Sequence, residues 1–161
     1  MIKKYENITV VLTKKDGSEQ IIKGKNIVTD EGDIYYAQKV TGETTDFETP
    51  YLRLGTGTST PAKTDTDVTT YITGSARAVD SGFPQRNNAD PGNTDGGVDT
   101  VTWKISYALG DLNTTGISEG AIVDDGASPT KAICHFLFSS AFDVADTDQL
   151  TVYVNHTFTG V

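Results

Sequence analysis

Three runs in the second half of the chain do most to restrict its fold. Residues 100–109 alternate apolar and polar side chains, placing Val101, Trp103, Ile105, Tyr107 and Leu109 on one face. Residues 150–158 do the same with Leu150, Val152, Val154, His156 and Phe158. Side chains on a strand point to opposite faces with period two, so each run is expected to be a strand with one buried face. Residues 131–139 are almost continuously apolar, the pattern of a strand covered on both sides. Residues 117–123 form a weaker strand candidate around Glu119. Twenty-five of the 161 residues are threonine, a β-branched type that fits pleated surfaces better than helices.

The first half adds punctuation to this pattern. Residues 8–28 read as a β-hairpin, because Asp16-Gly17 separates two β-branched runs and Gly supplies the positive φ of a tight turn cheaply. Residues 30–41 are the one helix expected. Thr29 or Asp30 can cap its start, acids crowd its first turn, Gly42 can end it, and Ile34, Ala37 and Val40 recur at helical spacing. Residues 51–55 read as a short strand. Residues 56–67 are a Thr/Asp/Gly/Pro-rich loop, residues 68–78 a strand interrupted by Gly74, and residues 81–99 a long turn-forming loop. The expected fold is mainly β, an antiparallel β-sandwich or jelly roll with one short helix, in a single domain over residues 1–161. Residues 1–7 form an N-terminal arm in this reading.

Charge and composition narrow the function classes. The net charge is −9, which opposes a grip on nucleic-acid phosphates or anionic membranes. No window approaches the ~18 consecutive apolar residues of a membrane helix. The N-terminus lacks the apolar core of a signal peptide. The single cysteine, Cys134, has no intrachain partner and reads as a small buried side chain.

Reactive constellations are sparse. The histidines are His135 and His156. Cys134 and His135 are adjacent on a strand and so face opposite ways, which argues against a shared catalytic pocket. Two histidines and one cysteine cannot make a Cys/His zinc site without carboxylates. The 90–96 segment (DPGNTDG) partly imitates a calcium loop, but Pro91 and Thr102 stand where ligands are required, leaving only opportunistic calcium on acidic turns. Gly55-Thr56-Gly57-Thr58 lacks the Lys and helix start of a phosphate loop and reads as a turn. Glu119 is the one acid in an apolar strand, and a salt bridge to Arg53 or Arg77 is its expected role. No catalytic residue, metal ligand or cofactor is assigned.

The succession of segments carries a resemblance. Residues 26–32 (NIVTDEG) precede the helix, residues 51–66 (YLRLGTGTSTPAKTDT) lead towards Arg77, and residues 116–123 (GISEGAIV) and 146–154 (DTDQLTVYV) follow. From about Asn26 to Phe158, the chain resembles small structural proteins of tailed-bacteriophage virions; the 81–99 loop lies outside that pattern. The resemblance implies a non-enzymatic β-sandwich that decorates or cements the capsid. It would bind the major capsid protein lattice and copies of itself, as a homotrimer, on virions assembled in the bacterial cytoplasm. A tail or tail-fibre component is the alternative, and a carbohydrate-binding or hydrolytic β-sandwich a third. The candidate contact residues are Met1, Ile2, Lys3, Lys4 and Tyr5 of the arm, with Phe83 and Arg86 of the long loop, because an aromatic and an arginine are common interface anchors.

Overall fold

A computed structural model describes residues 7–159. Its strands are β1 (Ile8–Thr13), β2 (Glu19–Val28), β3 (Tyr51–Gly55), β4 (Arg77–Ala78), β5 (Gln85–Arg86), β6 (Thr100–Tyr107), β7 (Thr114–Val123), β8 (Ala132–Val144) and β9 (Gln149–Thr157), with helix α1 (Asp30–Thr41) between β2 and β3. All nine strands join one antiparallel sheet in the order β4-β3-β7-β8-β2-β1-β9-β6-β5. The mainly-β expectation holds. The hydrogen-bond ladder is continuous, so it does not itself divide the strands into two layers.

The sheet curls until its two sides meet. Residues 75–80 stitch the seam. The Asp80 amide donates to the Lys104 carbonyl at 2.9 Å, and the Val79 amide to the Pro50 carbonyl at 3.0 Å. The Asp80 carboxylate accepts the Ser106 amide at 3.0 Å and its hydroxyl at 2.6 Å. The Tyr107 hydroxyl donates to the Ser75 carbonyl at 2.8 Å. Curling turns one face of every long strand inward, and Ile8, Val10, Leu12, Leu52, Leu54, Trp103, Ile105, Phe136 and Val152 meet there with no exposed surface.

Local chemistry explains most element boundaries. The β1–β2 hairpin closes through Gly17 at φ 83°, while the Asp16 carboxylate accepts the Ser18 amide and hydroxyl. Thr29 caps α1, its hydroxyl oxygen accepting the Gly32 amide at 3.0 Å, and Gly42 ends the helix in the left-handed region. Gly32 is there for proximity: a Cβ on it would sit 2.0 Å from the Ile133 carbonyl oxygen of β8.

The helix turns a different face to the core than its aliphatic spacing suggests. Val40 is 88% exposed, Ile34 is 49% exposed and Ala37 is exposed too. The buried stripe is Gly32 and Tyr35, with Tyr36 beside it. The Tyr35 ring packs 5.6 Å from both Phe47 and Trp103. A phenol ring buries more area than a valine or alanine side chain, so two tyrosines outweigh three smaller apolar residues in choosing the face. Three other expectations shift. Within residues 68–78 only a bridge at Tyr71 and the two-residue β4 are β. β8 runs on to Val144. Leu109 lies beyond β6 and is 61% exposed.

Candidate functional site

The 81–99 loop divides into two halves with different surroundings. In the outer half, the Phe83 amide donates back to the Asp80 carbonyl at 3.1 Å, and Gly82 turns the chain at φ 84°. The peptide between Phe83 and Pro84 is cis. Gln85 and Arg86 then pair with Thr102 and Val101 as the edge strand β5. Phe83 is half-buried and Arg86 exposed. The Lys104 ammonium lies 5.6 Å from the Phe83 ring centroid. The Arg86 guanidinium donates to the Val98 carbonyl at 2.8 Å, and the Val98 side chain is 68% exposed. Arg86 and Val98 thus share one exposed edge, while Phe83 is half-buried beside Lys104.

The inner half lies against the outer face of β1, β6 and β9, which the sequence reading left to solvent. Asn93 and Asn155 exchange side-chain amide hydrogen bonds at 3.1 and 3.0 Å. The Asn93 amide nitrogen also donates to Asn88 at 3.2 Å, and the Thr102 hydroxyl to Asn155 at 2.7 Å. All four residues are buried. Buried amides must find partners or forfeit their hydration, so this network is what makes the burial tolerable. Ion pairs rim it: Lys23 with Asp95 at 2.7 Å and Lys104 with Asp90 at 2.8 Å. The hydrogen bond from Lys104 holds the Asp90 carboxyl below its ordinary value. The carboxylates that imitate a calcium loop are therefore engaged with lysines. Met1, Ile2, Lys3, Lys4 and Tyr5 lie outside the described residues.

On the opposite side, residues 56–73 cover the outer face of β7 and β8 around a buried ionic cluster. Glu119 has no exposed surface. Its Oε1 accepts the Gly57 and Thr70 amides at 2.9 and 2.8 Å, and its Oε2 the Thr69 amide at 3.0 Å. His135 Nε2 reaches the same Oε2 at 2.8 Å, and His135 Nδ1 reaches Asp65 Oδ2 at 2.6 Å. The expected bridge from Glu119 to Arg53 or Arg77 is not formed. Arg53 pairs with Asp67 at 3.0 Å and stacks 3.4 Å over the Tyr71 ring, while Arg77 pairs with Asp111. Glu119 lies on a strand face that the 56–73 segment covers with backbone donors, and these, with His135, satisfy it completely. The Gly-Thr-Gly-Thr motif makes room for this: a Cβ at Gly55 or Gly57 would lie 2.4 Å from Glu119 Oε1.

Burial by itself raises the Glu119 carboxyl, but the hydrogen bonds from His135 and three amides outweigh it and hold the pKa at about 2. Burial pulls the His135 imidazole down, and the hydrogen bonds and charges of Glu119 and Asp65 more than reverse it, leaving the pKa raised. The two carboxylates sit at opposite ring nitrogens and cannot converge on one ion. Among the described residues no group of three or more His, Cys, Asp or Glu side chains is arranged to hold a metal. The second histidine, His156, is paired through Nδ1 with the Tyr36 hydroxyl, which accepts the Trp103 indole N–H at 3.0 Å. Cys134 is fully buried, facing inward while His135 faces outward. His156 and Tyr36 line one small cavity together with Asp33, Asn26, Asn155 and Phe158.

No protein-family model, no curated protein and no solved structure matches this chain.

Proposed function

We propose that this chain is a non-enzymatic structural component of a tailed-bacteriophage virion, a decoration or cement protein on the capsid surface. The observation that carries the reading is the division of the 81–99 loop. Its outer half leaves Arg86 exposed and Phe83 half-buried, while its inner half is pinned by buried Asn88 and Asn93. A contact loop held in place loses little conformational freedom on docking, which favours binding over reaction as its task. A cement protein binds the assembled lattice better than its free subunits, so mass action stabilises the shell. Many modest contacts then add through avidity, without a reactive group. Homotrimeric assembly and jelly-roll-like packing of the curled sheet belong to the same proposal, as does attachment to the major capsid protein.

The test is co-sedimentation of the purified protein with heads of its own phage that lack it. Saturable binding and a raised head-disruption temperature are expected. The Phe83→Ala, Arg86→Ala double variant is expected to bind about tenfold or more weakly, with unchanged folding. Binding confined to tails or host cells would place the module in the tail or fibre instead. Turnover of a glycan, abolished by one carboxylate substitution, would overturn the non-enzymatic reading.

A further inference from the structure

The ionic cluster at His135 has a geometry that constrains its protons. The four contacts on Glu119 fill both oxygens: Gly57 and Thr70 amides on Oε1, the Thr69 amide and His135 Nε2 on Oε2. That leaves no place for a proton on the carboxylate, so Nε2 is the donor. At the other end, Asp65 Oδ2 already accepts the Ala62 amide at 2.7 Å and faces His135 Nδ1 at 2.6 Å. An ionised carboxylate only accepts, so Nδ1 is a donor as well. Both nitrogens carry hydrogen, and the ring is an imidazolium clamped between two carboxylates.

We propose that Glu119, His135 and Asp65 form a proton-operated latch, closed while the imidazole is doubly protonated and released at the Asp65 turn when the ring loses one proton. Release goes to the Asp65 side for a structural reason. Glu119 is fully buried and keeps its three backbone donors, so the remaining ring proton stays with it. Asp65 is 29% exposed, and a bare Nδ1 lone pair at 2.6 Å repels its carboxylate, which can swing to water. The turn that moves is the one closed by Asp65 and Ala62, where the Asp65 amide donates to the Ala62 carbonyl at 3.1 Å. It is also tied to the start of α1, because the Asp30 amide donates to the Lys63 carbonyl at 2.9 Å and the Lys63 ammonium pairs with Asp33.

The charged groups facing the ring are Glu119 from β7, Asp65 and Asp67 from the covering segment, and Arg53 from β3, which neutralises Asp67 at 3.0 Å. The raised imidazole fixes the direction of the effect. Its contribution to stability is whole below the ordinary histidine value of 6.5 and is lost as pH climbs through the raised value. Glu119 works in the opposite sense: its contribution is whole above 4.5 and is lost as pH falls towards about 2. The latch is therefore fully closed between those two ordinary values and opens on the alkaline side.

The test is a nitrogen-15 NMR titration of the histidine rings in the full chain, read together with the backbone amides. Near neutral pH, His135 is expected to show two protonated ring nitrogens. Its titration at higher pH should move the amides of Ala62 to Asp67 with the same midpoint. The Asp65→Asn variant should lower the His135 midpoint by roughly one pH unit or more, since it deletes one adjacent charge. A single-tautomer neutral His135 below its ordinary value overturns the latch. So do amides of the 62–67 turn that stay still through the ring's titration. Should the variant fail to fold, the wild-type titration alone decides.

Discussion

Two long polar loops cover two outer faces of the same curled sheet, and they are held down by opposite chemistry. The inner half of the 81–99 loop is fastened by neutral amides, with Asn93 and Asn155 exchanging hydrogen bonds across the sheet surface. The 56–73 segment is fastened by charge, with Glu119 collecting three amides and an imidazolium. Both solve the problem of burying polar groups next to a strand. A neutral network keeps its worth across pH. A charged one is stronger per bond but depends on protonation. The amide-held loop also carries half-buried Phe83 and exposed Arg86, so under the proposed function a presentation that does not vary with pH would suit it.

Breaking the charged side should cost most. Glu119→Ala strands His135 and three amide donors, and is expected to lose about 3–5 kcal/mol, read as a fall in the urea midpoint with the slope unchanged. Next comes Asn93→Ala. It leaves the Asn155 amide without its partner and should cost about 1–3 kcal/mol, with faster hydrogen exchange across the inner half of its loop. That loss should be the same at about pH 6 and about pH 9, because no member of the amide network titrates there. Asp65→Asn is smaller, about 1 kcal/mol at mildly acid pH, and should fade on the alkaline side, where the wild-type latch is already open. A cost that persists unchanged at high pH would erase the contrast between the two loops. Phe83→Ala should change stability least, by less than about 1 kcal/mol, because its ring is half-buried and its cation contact is solvated. An effect on head binding with almost none on unfolding would separate presentation from folding.

How much of this was legible in the sequence varies with the kind of residue. The strands around Trp103 and Val152 were readable because inward positions repeat every second residue, and the one around Phe136 because its run is apolar on both faces. The hairpin at Asp16-Gly17 and the caps at Thr29 and Gly42 were readable because turns and helix ends use a few residue types for local reasons. The buried face of α1 was misread, since counting apolar residues at Ile34, Ala37 and Val40 ignored how much area Tyr35 buries. Glu119 stood out as an acid in an apolar strand. Its partners did not, because His135 is a neighbour only through the β7–β8 register and Gly57, Thr69 and Thr70 only through the path of a loop. Asn93 looked like a solvated turn residue, and nothing near it in sequence announces Asn155, 62 residues away.

The amino-acid order by itself therefore determined the mainly-β architecture, the single helix and the face that β6 and β9 turn inward. Those properties follow from backbone geometry over a few consecutive residues. Only the tertiary structure decided that the sheet curls until Asp80 bonds Lys104 and Ser106, and which polar side chains are buried together. A hydrogen bond or an ion pair is set by the positions of two atoms in space. When the chain between them runs for tens of residues, no local pattern encodes that distance.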